Sequence, residues 1–182
     1  MSEDAFIHYD DPFRTPADQR DETKRLRGAL VRGVTIWTSG SEDSPAGLTM
    51  SSVLLADGTP AEVLGLISDT TALYETIGAT GRFVMHILPT EAENLADIFA
   101  GLRPAPGGPF AHVAWSASEH GPVITELVTR AFCSVTSDIE VGYQRLVRGR
   151  IDSIALTDPG EPLVHYRGRY RKLEPGPGHA PG

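Results

Sequence analysis

The chain has one cysteine, no long apolar run and a shortage of positive charge, and each absence removes a class of protein. Cys133 alone can form no internal disulfide framework, which fits a reducing cytoplasm. No apolar stretch approaches the ~20 residues that a membrane span needs. The opening Met1-Ser2-Glu3-Asp4-Ala5-Phe6 lacks the basic-then-apolar order of a signal peptide. Sixteen Lys and Arg against 24 Asp and Glu leave a net charge of −8, the wrong balance for a general nucleic-acid binder. Several signature motifs are also missing. There is no G-x-x-x-x-G-K-[ST] phosphate loop, no G-x-G-x-x-G opening a helix and no G-x-S-x-G nucleophile elbow. His8, His86, His112, His120, His165 and His179 show no H-x-x-x-H spacing, so no metal site is expected.

What is present fits one globular domain. A chain of 182 residues buries roughly 70% of its unfolded surface, and its 40% apolar content is ordinary for a soluble core. Residues 1–14 are expected to form a flexible acidic leader, 15–173 the domain, and the Pro/Gly-rich 174–182 a disordered tail. Thr15-Pro16-Ala17-Asp18 reads as a helix start, with Leu26, Ala29 and Leu30 as its apolar stripe and Gly33 as its end. Residues 34–38 alternate as a strand. Residues 70–77 predict a short helix stopped by Gly78. Thr90 and Glu93 predict a capping box for a helix running to Phe99. Residues 103–109 read as a loop, and 111–115, 123–135 and 142–156 as strands. The sum is a mainly β, α+β fold: a β-barrel with helices packed outside it.

The chemistry concentrates in Ala46-Gly47-Leu48-Thr49-Met50-Ser51-Ser52. Glycine lets backbone approach a flat ligand closely, and Thr49, Ser51 and Ser52 add hydroxyls that donate and accept. Such a ribbon suits the rim of an aromatic heterocycle or a phosphate. Ser68-Asp69-Thr70-Thr71 follows an apolar run and can cap a helix, a role in which Asp69 fits well. Arg82 stands at the mouth of another strand. Arg145, Arg148 and Arg150, with Arg167, Arg169, Arg171 and Lys172, read either as a solvated basic face or as an attraction for an anionic ligand. Cys133, apolar on alternate neighbours, reads as a buried structural thiol.

In their order, this ribbon, the Ser68–Thr71 segment, Gly81-Arg82-Phe83-Val84-Met85-His86-Ile87-Leu88, the helix ending Phe99-Ala100-Gly101 and the closing Glu161-Pro162-Leu163-Val164-His165-Tyr166-Arg167-Gly168-Arg169-Tyr170 resemble the flavin reductase-like family. These are FMN-binding split β-barrel proteins, and the resemblance covers about residues 20–173. It implies FMN as cofactor, with FAD the alternative, and NAD(P)H as co-substrate. Leu48, Thr49, Met50, Ser51 and Ser52 would lie along the isoalloxazine, Ser68, Asp69 and Thr70 near the ribityl chain and phosphate, and Arg82 at the 5′-phosphate. Hydride transfer needs stacking and water exclusion but no acid or base, so no catalytic side chain is expected. Gln144, His165 and Tyr170 are the candidates for the nicotinamide side.

One departure bears on that role. Reductases of this family typically read G-D-H where this chain has Gly142-Tyr143-Gln144, which leaves flavin binding untouched and puts nicotinamide use in question. His86 likewise stands where the family commonly has Asn. The family also implies a homodimer, cytoplasmic, handing reduced flavin to a partner monooxygenase, with neither nucleic acid nor membrane as partner. The alternatives are a flavin carrier, sensor or oxygen-using flavoprotein on the same fold without reductase turnover, and a cofactor-free interaction barrel.

Overall fold

The computed structural model of the protein describes residues 22–158 and 160–173. The expected leader over 1–14, the helix start at 15–18 and the tail over 174–182 lie outside the described residues. The fold is mainly β. Seven antiparallel strands form one curved sheet in the order β3-β2-β6-β9-β10-β5-β4. They are β2 (Thr35–Gly40), β3 (Pro45–Met50), β4 (Val53–Ala56), β5 (Glu62–Ile67), β6 (Arg82–Ile87), β9 (Arg130–Val141) and β10 (Gln144–Ala155). A small sheet beside it joins β1 (Arg32–Gly33), β11 (Val164–Tyr166) and β12 (Arg169–Arg171). β7 (Trp115–Ser116) and β8 (Val123–Ile124) pair separately.

The edges of the large sheet are β3 and β4, and the chain passes from one to the other through Ser51 and Ser52 alone. Two residues reach at most about 10 Å between strand ends, so the sheet must curl almost back onto itself. The barrel stays split, and Ser51–Ser52 is its seam.

Two glycines let the barrel fill. Trp37 of β2 stacks on Phe83 of β6 with ring centroids 4.3 Å apart. A Cβ on Gly65 would stand 2.4 Å from the Trp37 ring, and one on Gly149 would stand 2.5 Å from Phe83. Around this pair Met50, Val63, Ile67, Leu73, Cys133 and Val147 close the interior core. Outside β2, α3 (Glu93–Phe99) lays Leu95, Ala96 and Phe99 over Val34, Ile36 and Leu163 as a second core.

Several local expectations change in the structure. The helix expected from Thr90 begins at Glu93, preceded by a 3-10 turn over Thr90–Ala92, and no side chain caps it. Thr90 is engaged elsewhere: its N–H donates to Glu161 O at 2.8 Å, and Pro89 bridges Pro162. Gly78 does not stop α2 (Ala72–Thr80). Gly81 does, at φ +67° with its N–H on Ile77 O at 2.8 Å. Helix α1 (Glu22–Ala29) ends before Gly33, which joins β1, and it buries none of its residues.

The strand expected over 111–115 is a 3-10 turn, Pro109–His112, and then β7. The strand over 123–135 breaks between β8 and β9 at a turn through Thr125 and Glu126, where Leu127 N–H donates to Ile124 O at 3.3 Å. In the β9–β10 hairpin, Gly142 at φ +59° and Tyr143 form the two-residue tip, and β10 begins at Gln144.

Candidate functional site

Side chains of the predicted ribbon point to both sides of β3. Met50 is buried in the barrel core and Leu48 packs against it. Thr49 turns the other way and donates its hydroxyl to Ala96 O of α3 at 2.7 Å. Gly47 serves packing, not ligand approach: a Cβ there would stand 2.6 Å from the Phe99 ring. Ser51 and Ser52 are half-buried at the seam. As an edge strand, β3 bonds β2 on one side only, so half of its backbone N–H and C=O groups face the open side. That row of neutral donors and acceptors fits the polar rim of an isoalloxazine.

The second predicted segment lies close by. Ser52 O accepts Leu66 N–H at 3.0 Å, and Ser68 stands two residues further along. Ser68 Oγ lies 2.9 Å from Thr70 Oγ1, and both side chains are exposed or half-exposed at the start of α2. The helix N-cap is Thr71, whose hydroxyl accepts Tyr74 N–H at 3.3 Å. Asp69, expected as the cap, is exposed and does not cap it. The positive end of the α2 dipole therefore faces this polar cluster. Gln144 belongs to the same end, because its neighbour Arg145 pairs in register with Ile67. Beside it, Arg145 Nε donates to Asp138 at 2.9 Å and Tyr74 Oη donates to the same carboxylate at 2.6 Å. These hydrogen bonds hold the Asp138 carboxyl below its usual range against the opposing effect of burial.

On the other side of the seam the small sheet presents His165 and Tyr170, which are register partners with rings 5.8 Å apart in an edge-on arrangement. Burial pushes the Tyr170 hydroxyl up to about 12, helped by Asp97 and Glu93. Arg32 pairs in register with His165, and the sequence reading missed it. Its guanidinium donates to Ser52 Oγ at 3.4 Å and meets His165 Nδ1 at 3.2 Å. An arginine only donates, so Nδ1 accepts and His165 is the neutral tautomer with its proton on Nε2. Burial and the neighbouring Arg32 and Arg27 lower the His165 pKa, which favours that neutral form. No local pattern marks Arg32, since its partner lies 133 residues away.

Arg82 stands apart from these groups. Its carbonyl accepts from Ser39 Oγ at 2.7 Å and its guanidinium lies 3.7 Å from Glu119. Ser39 is four residues along β2 from Thr35, the register partner of Met50, or about 13 Å of strand. Of the predicted set, the structure places Leu48–Ser52 at the seam, Ser68–Thr70 and Gln144 to one side of it and His165 and Tyr170 to the other. Among the described residues no three His, Cys, Asp or Glu side chains gather as a metal would need, and no helix is long and apolar enough to cross a membrane.

A curved antiparallel sheet whose two edges meet at a hydroxyl-bearing seam, with helices outside, is the architecture of a split barrel. The family described as the flavin reductase like domain matches residues 27–174, and the chain belongs to it. It is 32% identical over 155 residues to the reductase component of a 4-nitrophenol 4-monooxygenase/4-nitrocatechol 2-monooxygenase from Rhodococcus opacus, covering 85% of this chain and 81% of that one. An NADH-dependent FMN reductase, AsuE2, from Streptomyces nodosus subsp. asukaensis is 32% identical over 158 residues, covering 85% of each. Among solved structures, nitrilotriacetate monooxygenase component B from Mycobacterium thermoresistibile superposes with a TM-score of 0.79 at 27% identity, covering 91% of this chain and 92% of that one.

Proposed function

We propose that this chain is an NAD(P)H-dependent flavin reductase that hands reduced flavin to a separate monooxygenase. The observation that carries the reading is the seam, where the open edge of β3 and the Ser51–Ser52 crossing lie between the Ser68–Thr70 cluster and the Arg32–His165–Tyr170 group. Bound flavin would supply the hydride acceptor there. The chain's residues would bind and orient it: backbone of Leu48–Ser52 along the ring, Ser68, Thr70 and the α2 N-terminus toward the ribityl phosphate, with Asp69 at the margin. Arg82 is left out of this seat, because it is tied to Glu119 at the far end of β6. His165, Tyr170 and Gln144 would face the nicotinamide, the first with an Nε2–H donor in place of the histidine missing at Gln144. No side chain need move a proton.

FMN is the proposed flavin, as in the name of the Streptomyces relative, with FAD the alternative. The R. opacus relative is named a reductase component, which supports a partner oxygenase. A homodimer is proposed because β3 and β4 leave open edges and because Leu26, Leu54, Leu55 and Ile139 are exposed. Cys133, buried with its thiol pushed up to about 12, is inert and suits a cytoplasmic setting.

The test is anaerobic addition of NADH, then NADPH, to FMN-loaded protein while the flavin absorption is followed. Rapid bleaching by either is expected. Bound flavin that stays yellow with both removes the reductase reading and leaves the flavin-carrier alternative.

A further inference from the structure

The β1–β11–β12 sheet carries a concentration of positive charge that the fold does not neutralise. Arg27 of α1 and Arg32, Arg167, Arg169 and Arg171 of the sheet and its turn have no carboxylate within ion-pair distance among the described residues. This stands out in a chain of net charge −8. Arg32 is the extreme case. It is half-buried, its two contacts are a hydroxyl at 3.4 Å and another base at 3.2 Å, and its Nε–H is buried with no acceptor. A desolvated guanidinium beside a histidine is costly unless an anion completes it.

A second feature points the same way. The β11–β12 hairpin turns through Arg167 and Gly168 at φ +49° and +76°. Glycine, asparagine or aspartate is preferred where a two-residue turn needs positive φ. Arginine is held there instead, 5.2 Å over the Tyr166 ring, with its N–H on Gly28 O at 2.9 Å. Non-glycine residues kept in the left-handed region gather at ligand sites.

We propose that Arg32, completed by the Ser52 hydroxyl and rimmed by Arg167, is the seat of the diphosphate of the nicotinamide dinucleotide, while His165 keeps its Nε2–H for the nicotinamide. The inference rests on the reductase reading and extends it to a named anchor. The guanidinium fork matches phosphate oxygens, and turning outward by one rotamer would exchange its poor contacts for charge-assisted ones. The Ser68–Thr70 cluster remains the seat for the phosphate of the flavin, on the other side of the seam.

The experiment titrates ADP-ribose and NAD⁺ calorimetrically into FMN-loaded wild type, Arg32→Ala and Arg32→Lys, with thermal melts as the fold control. Expected is a tenfold or greater loss of affinity for both ligands in R32A and a smaller loss in R32K, with FMN and riboflavin affinities changed less than twofold. In turnover, KM for NADH should rise tenfold with kcat retained, while reduced nicotinamide riboside, which has no diphosphate, should be used equally well by all three. Unchanged ADP-ribose affinity in R32A overturns the proposal, as does a wild type that binds neither ADP-ribose nor NAD⁺. If FMN loses affinity relative to riboflavin in R32A while ADP-ribose does not, the phosphate belongs to the flavin and the assignment is wrong. Equal losses for NADH and the riboside make Arg32 a ring-positioning group and also overturn it. The reductase reading fails separately, when wild-type flavin is bleached by no nicotinamide donor.

Discussion

The seven-stranded barrel and the three-stranded sheet beside it are built on opposite terms. In the barrel the interior is filled by stacked rings and trimmed glycines, and four of the five arginines on its strands are paired with carboxylates. Arg145 meets Asp138, Arg148 meets Glu62, and Arg150 and His120 share Asp152, whose carboxyl their bonds and that of Ser134 hold at about 2 against the opposing effect of burial. In the small sheet Arg32 faces a histidine, one of its N–H groups faces nothing, and Arg167 is held at positive φ. Charges that serve the fold are neutralised inside it, and those reserved for a ligand are not. The barrel has its own orphans, the Trp37 Nε1–H and the Ser137 hydroxyl, but these neutral groups cost far less than a guanidinium.

The largest expected effect is on the barrel side. Trp37→Ala removes half of the central ring stack and leaves a cavity no neighbour can fill, so it should cost about 3–5 kcal/mol in a urea titration. Gly65→Ala would press a methyl into the Trp37 ring and should cost about 1–3 kcal/mol. If both variants keep the wild-type midpoint, the stack is not what organises the barrel.

His86 gives the next effect, and it sharpens the contrast between a histidine used by the fold and one left for a ligand. It is fully buried on β6; Nδ1–H donates to Ile36 O at 3.1 Å and Nε2 accepts Ile124 N–H at 3.1 Å. Both nitrogens are thus spent in the neutral form, and burial lowers its pKa to about 4. Between that value and the ~6.5 of an unfolded histidine, only the unfolded chain takes up the proton. Stability therefore falls as pH drops through this window, by about 2 kcal/mol from pH 7.5 to 5. His86→Asn keeps one donor and one acceptor and should flatten that slope, whatever it does to the midpoint at neutral pH. Parallel melting curves for the two proteins across the window would refute the assignment.

These cases show why some of the molecule was legible in sequence. The β-barrel with helices outside and the strands carrying Trp37 and Phe83 follow from short-range patterns, whereas the split barrel and the shared site of the Leu48–Ser52 and Ser68–Thr70 segments are what the family resemblance implies. Two misreadings and one omission share one cause, a partner far along the chain. Gly47 looked like room for a ligand because Phe99, 52 residues on, was invisible. Thr90 looked like a helix cap because nothing local announces that Glu161 takes its N–H. Arg32 drew no reading at all, because the strand that gives it a partner, β11, lies far along the chain. Gly78 against Gly81 is a different matter, since either could end α2 and only the backbone conformation decides between them.

The smallest effects belong to the small sheet and run in the reverse direction. If Arg32 and Arg167 are kept for a ligand, replacing them should leave the ligand-free fold unharmed or slightly improved. Arg167→Asn puts a residue suited to positive φ at the turn and should raise the ligand-free stability by up to about 1 kcal/mol. Arg32→Leu removes a desolvated charge with an unpaired N–H, leaves Ser52 and His165 only weak contacts to lose, and should shift stability by less than about 1 kcal/mol. The same two substitutions should weaken ADP-ribose binding, Arg32→Leu the more, so that stability and affinity move apart. A trade of that sign is what separates a binding residue from a structural one. Were Arg32→Leu instead to cost as much as Trp37→Ala, with binding lost only as the protein unfolds, Arg32 would be a strut of the fold and the two regions would be built alike.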